Sequence, residues 1–93
     1  MSVQRLHVTS RYCEVAISGN LINLAGQLAD DTSVDVSGQT QQTLDNIDRL
    51  LAEAGTDKTH ILSVLIFLKD IEKDYAAMNA VWDRWITEGH PPA

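Results

Sequence analysis

Cysteine is nearly absent. Cys13 stands alone among 93 residues, which excludes an intramolecular disulfide or a multi-cysteine metal site and fits a reducing, cytoplasmic setting. Basic residues are scarce too: seven Lys and Arg against thirteen acids, for a net charge of −6. Lys58, Lys69 and Lys73 are scattered among acids, so no basic patch exists to displace counterions from phosphates, and nucleic acid is not an expected partner. Anionic membrane surfaces are disfavoured on the same ground. Long apolar runs are missing as well. The longest, Ile61 to Leu68, is interrupted by Ser63 and falls far short of the roughly 20 residues that span a bilayer. The opening MSVQRLHVTS lacks the apolar core of a signal peptide. His7, His60 and His90 share no ligand spacing. Asp30, Asp31 and Asp35 lack the alternating ligands and closing Glu of a calcium loop, so no metal is expected and these acids read as a solvated turn.

What is present describes one folded domain spanning 1–93. Hydrophobic residues make up 44 % and charged residues 22 %, a composition that argues against disorder. A chain of this length buries about 60–65 % of its unfolded surface and gains from oligomerising. A short strand is expected from Arg5 to Thr9. Cys13 to Ser18 alternates, with Cys13, Val15 and Ile17 on one face, and Gly19-Asn20 supplies a tight hairpin turn. Leu21 to Leu28 returns with Ile22, Leu24, Gly26 and Leu28 on one face. Ala29 to Ser37 is a polar loop. A helix is expected from Gly38 to Ala54, with Ser37 as N-cap, a stripe of Leu44, Ile47, Leu50, Leu51 and Ala54, and Gly55 just past its end.

The run ILSVLIFL (61–68) is continuous and β-branched, as for a strand covered on both faces. After a connector over 69–73, Asp74 can cap a second helix with the stripe Tyr75, Met78, Trp82, Trp85 and Ile86, ending near Gly89. The order β-β-β-α-β-α gives an α+β protein with both helices on one face of a mixed sheet, since a strand–helix–strand crossover is right-handed. A second helix closing in EGHPPA should deliver another strand, expected beyond Ala93.

Four stretches, RYCEVAISGNLINLAGQLA (11–29), GQTQQTLDNIDRLLAEAG (38–55), ILSVLIFLKDI (61–71) and YAAMNAVWDRWITEGHPPA (75–93), together resemble the reactive-intermediate deaminase family. This is also called the YjgF family and is sometimes described as endoribonuclease or translation inhibitor. The resemblance implies a chorismate-mutase-like fold and a homotrimer with ligand clefts between subunits. It further implies hydrolysis of 2-imino acids, or their enamine tautomers, to 2-oxo acids and ammonia without any cofactor. Tyr12 matches the family's cleft aromatic, Ala25-Gly26-Gln27 matches a segment usually written Ser-Gly-Gln, and Asn79 matches the asparagine of the second helix. Alanine at 25 departs from the frequent serine and removes a hydroxyl. The family continues past PPA with a carboxylate-gripping arginine and, later, an acidic residue. In this reading both lie beyond Ala93, and the domain is incomplete at its C-terminus.

Each of these residues also has a structural reading. Tyr12 can cover a strand end, Gly26 can mark a bulge or tight packing, Gln27 can bridge strands, and Asn79 can belong to a buried amide network. Trp82 and Trp85 read as core or interface packing rather than a base-stacking platform. Cys13 reads as an inert strand residue, since nothing nearby in sequence lowers its pKa. Three functions therefore stand: an imine deaminase acting on small 2-imino acids, a non-catalytic trimer binding small carboxylates such as 2-oxo acids, and a ribonuclease. Acidity and the lack of a His/Lys pair weigh against the last.

Overall fold

Two residues close the second hairpin. Ser18 pairs with Leu21 across Gly19-Asn20, and Gly19 alone takes the left-handed conformation at φ 58°, the pattern of a two-residue turn with glycine at its first central position. The computed structural model describes residues 2–93. Strands β1 (Gln4–Val8), β2 (Cys13–Ser18) and β3 (Leu21–Leu24) form an antiparallel sheet in the order β1-β2-β3. The return strand is shorter than the expected 21–28, because its ladder ends where Ala25 N donates to Glu14 O.

Helix α1 (Val36–Glu53) is capped by Asp35, whose Oδ1 accepts from Gly38 N at 2.9 Å. Asp35 therefore takes the role expected of Ser37, which lies inside the first turn. Gly55, at φ 86°, ends the helix. Its N–H donates to Ala52 O and that of Thr56 to Leu51 O, a pair of bonds that satisfies the last free carbonyls. Helix α2 (Ile71–Trp85) begins earlier than expected, because Asp70 rather than Asp74 supplies the cap, accepting from Lys73 N. Asp74 instead joins Glu72 in the first turn, where negative charge suits the helix dipole. The buried stripe of α2 is Met78, Val81 and Trp85. Tyr75, expected on it, is exposed.

The core lies between the helices and one sheet face. Leu44, Val81 and Trp85 form its centre, with Ile47, Ile61, Trp82 and Ile86 packed against them, and on the sheet Val15 of β2 has no exposed surface. Trp85 joins three segments. Its Nε1 donates to Asp48 of α1 at 2.9 Å, its carbonyl accepts from Lys58 Nζ, and that ammonium lies 5.0 Å from the ring centroid. Trp82 and Trp85 pack at 5.4 Å between centroids, so these rings serve packing, with Trp85 the more deeply buried.

Residues 61–68 depart from expectation. They follow a single 3₁₀ turn at Lys58–His60, leave that turn extended, and join no ladder with β1–β3. The sheet is therefore wholly antiparallel within its three strands. Strand identity depends on a partner, and among the described residues the backbone bonds of this run beyond its first residue go to Ala93, through Ala93 N to Leu62 O and Val64 N to Ala93 O, while Ile61 N donates to Lys58 O of the preceding turn. Among the described residues, no helix is long and apolar enough to cross a membrane.

Candidate ligand-binding trough

Because residues 61–68 do not pair with β3, an open trough separates the two. Its volume is about 1300 Å³, above the usual 300–1,000 Å³ of a small-molecule pocket. One wall is β3 and the run that follows it, through Ala25, Gly26, Gln27 and Leu28. The other is Ile61 to Lys69, and Leu44, Ile47 and Leu51 of α1 with Met78 and Trp82 of α2 form the floor.

The expected site residues divide into two groups. Ala25, Gly26 and Gln27 line the trough. A Cβ built on Gly26 meets no atom within 4 Å, so tight packing is not what requires glycine there. The space beside it is open to a ligand. Gln27 turns its amide back on its own strand, with Nε2 donating to Ala25 O at 3.1 Å. Ala25 is half-buried and contributes only a methyl group to the wall.

Tyr12 and Asn79 are not on the lining. Tyr12 ends the β1–β2 turn, 56 % exposed, and its carbonyl accepts from Thr9 N at 2.7 Å and from Thr9 Oγ1. It precedes β2 at the end of the sheet where β3 ends and Ala25 begins the following run. Asn79 is half-buried on α2, in a row with Tyr75 and Trp82 at helical spacing. No side-chain hydrogen bond engages it among the described residues, so the buried amide network considered for it is not seen.

Sequence reasoning overlooked the basic residues of the trough. His60, Lys69 and Lys73 all line it. Their signal lay in the sequence, as basic residues flanking the apolar run 61–68. The remaining polar groups are mostly committed elsewhere. Thr40 and Thr43 donate to carbonyls one turn back in α1, and Asp35 and Asp57 each accept from a backbone N–H. Hydrogen bonds from Thr59, first its hydroxyl and then its N–H, hold the Asp57 carboxyl below the usual carboxylate range. Asp31 is lowered likewise by Ser33, and Asp30 accepts from Asn46 Nδ2, so the acids of the 29–37 loop organise that turn. Among the described residues, no group of three His, Cys, Asp or Glu side chains is placed to hold a metal ion.

Comparison with known proteins matches this scaffold throughout. The family model Endoribonuclease L-PSP matches residues 2–93. The chain belongs to that family. A RutC family protein of Haemophilus influenzae is 42 % identical, covering all of this chain and 80 % of its own length. One from Haemophilus ducreyi is 41 % identical over 97 % of this chain and 76 % of its own. Among solved structures, a YjgF-family member from Neisseria meningitidis superposes with a TM-score of 0.94 at 41 % identity, covering all of this chain and 76 % of that one. The fold is thus that of the YjgF/L-PSP family, with the α+β class expected from the sequence.

Proposed function

We propose that the protein hydrolyses reactive 2-imino acids, and their enamine tautomers, to 2-oxo acids and ammonia, working as a homotrimer. The observation that carries this reading is the Ala25-Gly26-Gln27 segment on the trough wall of a family member, with open space beside Gly26. A protonated imine is already electrophilic. Water adds to its carbon, the nitrogen takes a proton, and the C–N bond breaks to release ammonia as the carbonyl forms. Holding substrate and water in line supplies much of such an acceleration, and fixed dipoles at the departing nitrogen supply the rest. In this reading the backbone at Gly26 approaches the substrate closely, and Tyr12 and Asn79, which lie off the trough lining of the single chain, reach the substrate only in a cleft completed between subunits. The assay is ammonia release from 2-iminopropanoate generated in situ. Gly26→Val fills the open space and should lower turnover about 100-fold with the fold intact by circular dichroism. No ammonia above buffer across several imino acids would overturn the proposal.

A second reading, a trimer that holds a small carboxylate without turning it over, is favoured by one observation. The hydroxyls and carboxylates of the trough named above are bound to backbone, whereas Lys69 and Lys73 border it as cations. Calorimetry against 2-oxo acids, run beside the ammonia assay, separates the two, because the binder gives heat without product. The ribonuclease reading has only the family's description behind it and is opposed by the net charge of −6.

A further inference from the structure

The turn that joins β1 to β2 is built differently from the one that joins β2 to β3. The first ladder stops at Val8 and Cys13, leaving Thr9, Ser10, Arg11 and Tyr12 to reverse the chain. Gly19 takes a positive φ in the second turn, whereas Ser10 and Arg11 do not, since His7 is the one non-glycine residue with positive φ among those described. A hairpin turn whose two central residues keep negative φ twists against its strands and splays them. The bonding shows the effect. Thr9 N donates to Tyr12 O at 2.7 Å, but the reciprocal bond, from Tyr12 N to Thr9 O, is not formed.

The Thr9 hydroxyl takes its place. Oγ1 accepts from Tyr12 N and from Arg11 N, each at 3.1 Å, and donates to Tyr12 O at 3.1 Å. A hydroxyl offers one donor and two acceptor sites, so this one is fully used, and both backbone polar groups of Tyr12 are held by a single residue. Stability gains little from the arrangement. All four turn residues are exposed, so water can serve the same groups, and the net worth of such bonds is small. What the clamp does fix is the point at which the Tyr12 side chain leaves the backbone, and that side chain stands out from the turn at 56 % exposure. An aromatic ring on a rigid support loses less freedom when it meets a ligand. A displacement of about 1 Å near a reacting centre lowers a rate on the order of 100-fold.

We propose that Thr9 is a positioning residue, whose hydroxyl sets Tyr12 for the cleft between subunits without itself touching the substrate. The inference rests on the deaminase reading and on the place which that reading gives to Tyr12.

The test is a double-mutant cycle on the full chain, with ammonia release from 2-iminopropanoate as the readout. Thr9→Val keeps the shape of the side chain and removes its hydroxyl. It should lower kcat about tenfold with KM nearly unchanged, while the melting temperature holds. Thr9→Ser, which retains the hydroxyl, should keep most of the activity. In a Tyr12→Ala background Thr9→Val should cause no further loss, because the hydroxyl acts only through Tyr12. Parent-like turnover in Thr9→Val would overturn the proposal, and so would a loss that adds in full to that of Tyr12→Ala, the mark of a merely structural role. Should Thr9→Val fail to fold, Thr9→Ser and Thr9→Ala differ by the hydroxyl alone, and equal turnover in that pair would overturn the proposal too. Absence of ammonia release by the parent chain would instead sink the deaminase reading, and this inference with it.

Discussion

His7 sits in the middle of β1 at φ 55°, the one non-glycine residue with positive φ among those described. Leu6 pairs with Val15 and Val8 with Cys13 on either side of it, and its imidazole reaches Glu53 at the end of α1. A left-handed conformation costs an ordinary residue about 1–2 kcal/mol, most for a β-branched one. His7→Val should therefore destabilise the fold by about 1–3 kcal/mol. His7→Gly, which loses the same contact but fits the backbone, should remain within about 1 kcal/mol of the parent. Urea denaturation of both variants measures the difference, and equal losses would place the cost in the Glu53 contact alone. That contact has a pH signature. The hydrogen bond from His7, aided by the charges of His7 and Arg49, holds the Glu53 carboxyl below its usual range. A folded-state value below the unfolded one stabilises the protein above about pH 4.3, and that contribution is lost as the pH falls through the folded value. Asp31 and Asp57 act with the same sign. His7→Gln should thus flatten the acid limb of a stability–pH profile without abolishing it, and an unchanged limb would exclude Glu53 from it.

At the scale of elements, capping decides where the helices begin. Asp35→Ala should cost about 1 kcal/mol, whereas Ser37→Ala, inside the first turn, should stay within about 0.5 kcal/mol. Thermal unfolding of the pair checks this, and a larger loss from Ser37 would move the cap. Both residues are competent caps by type, so residue type alone could not choose between them. Space chooses: a Cβ on Gly38 would meet Val34 Cγ2 at 2.9 Å, so glycine at that position lets the chain fold tightly over the first turn with Asp35 bonded to Gly38 N. Asp70 and Asp74 posed the same ambiguity at α2. Starting that helix at Asp70 goes with a buried stripe through Val81 in place of Tyr75. The hairpin and the α1 stripe were legible because their signals are local: period-two alternation, Gly-Asn, and apolar residues three or four apart. Residues 61–68 carry strand composition, but a ladder depends on partners remote in sequence, and composition cannot supply those. The candidate site was legible to a similar extent. Ala25-Gly26-Gln27 could be placed because they follow directly on β3 of a hairpin whose signals are local. Tyr12 and Asn79 stand on separate elements whose meeting depends on tertiary geometry, and the structure keeps both off the trough lining.

For the whole molecule the question is which surface the proposed trimer uses. The extents of 44 × 35 × 19 Å are those of a two-layer plate, with helices covering one face of the sheet. The other face is crossed by Arg5, Ala16 and Asn23, aligned by register across the three strands. A sheet with helices on a single side has a second face to solvate or to cover, and Ala16 at its centre is small enough to let another sheet approach. The apolar trough lip at Leu65 and Phe67, both exposed, is the competing surface. Ala16→Arg should therefore reduce the sedimenting mass from three chains to one of 10.3 kDa. Leu65→Lys should keep the trimer and only lessen aggregation on heating, because it blunts an exposed apolar edge. Sedimentation equilibrium on the two variants separates the surfaces. Loss of the trimer in Leu65→Lys, with Ala16→Arg unaffected, would make the trough lip the subunit interface and leave the open sheet face to solvent.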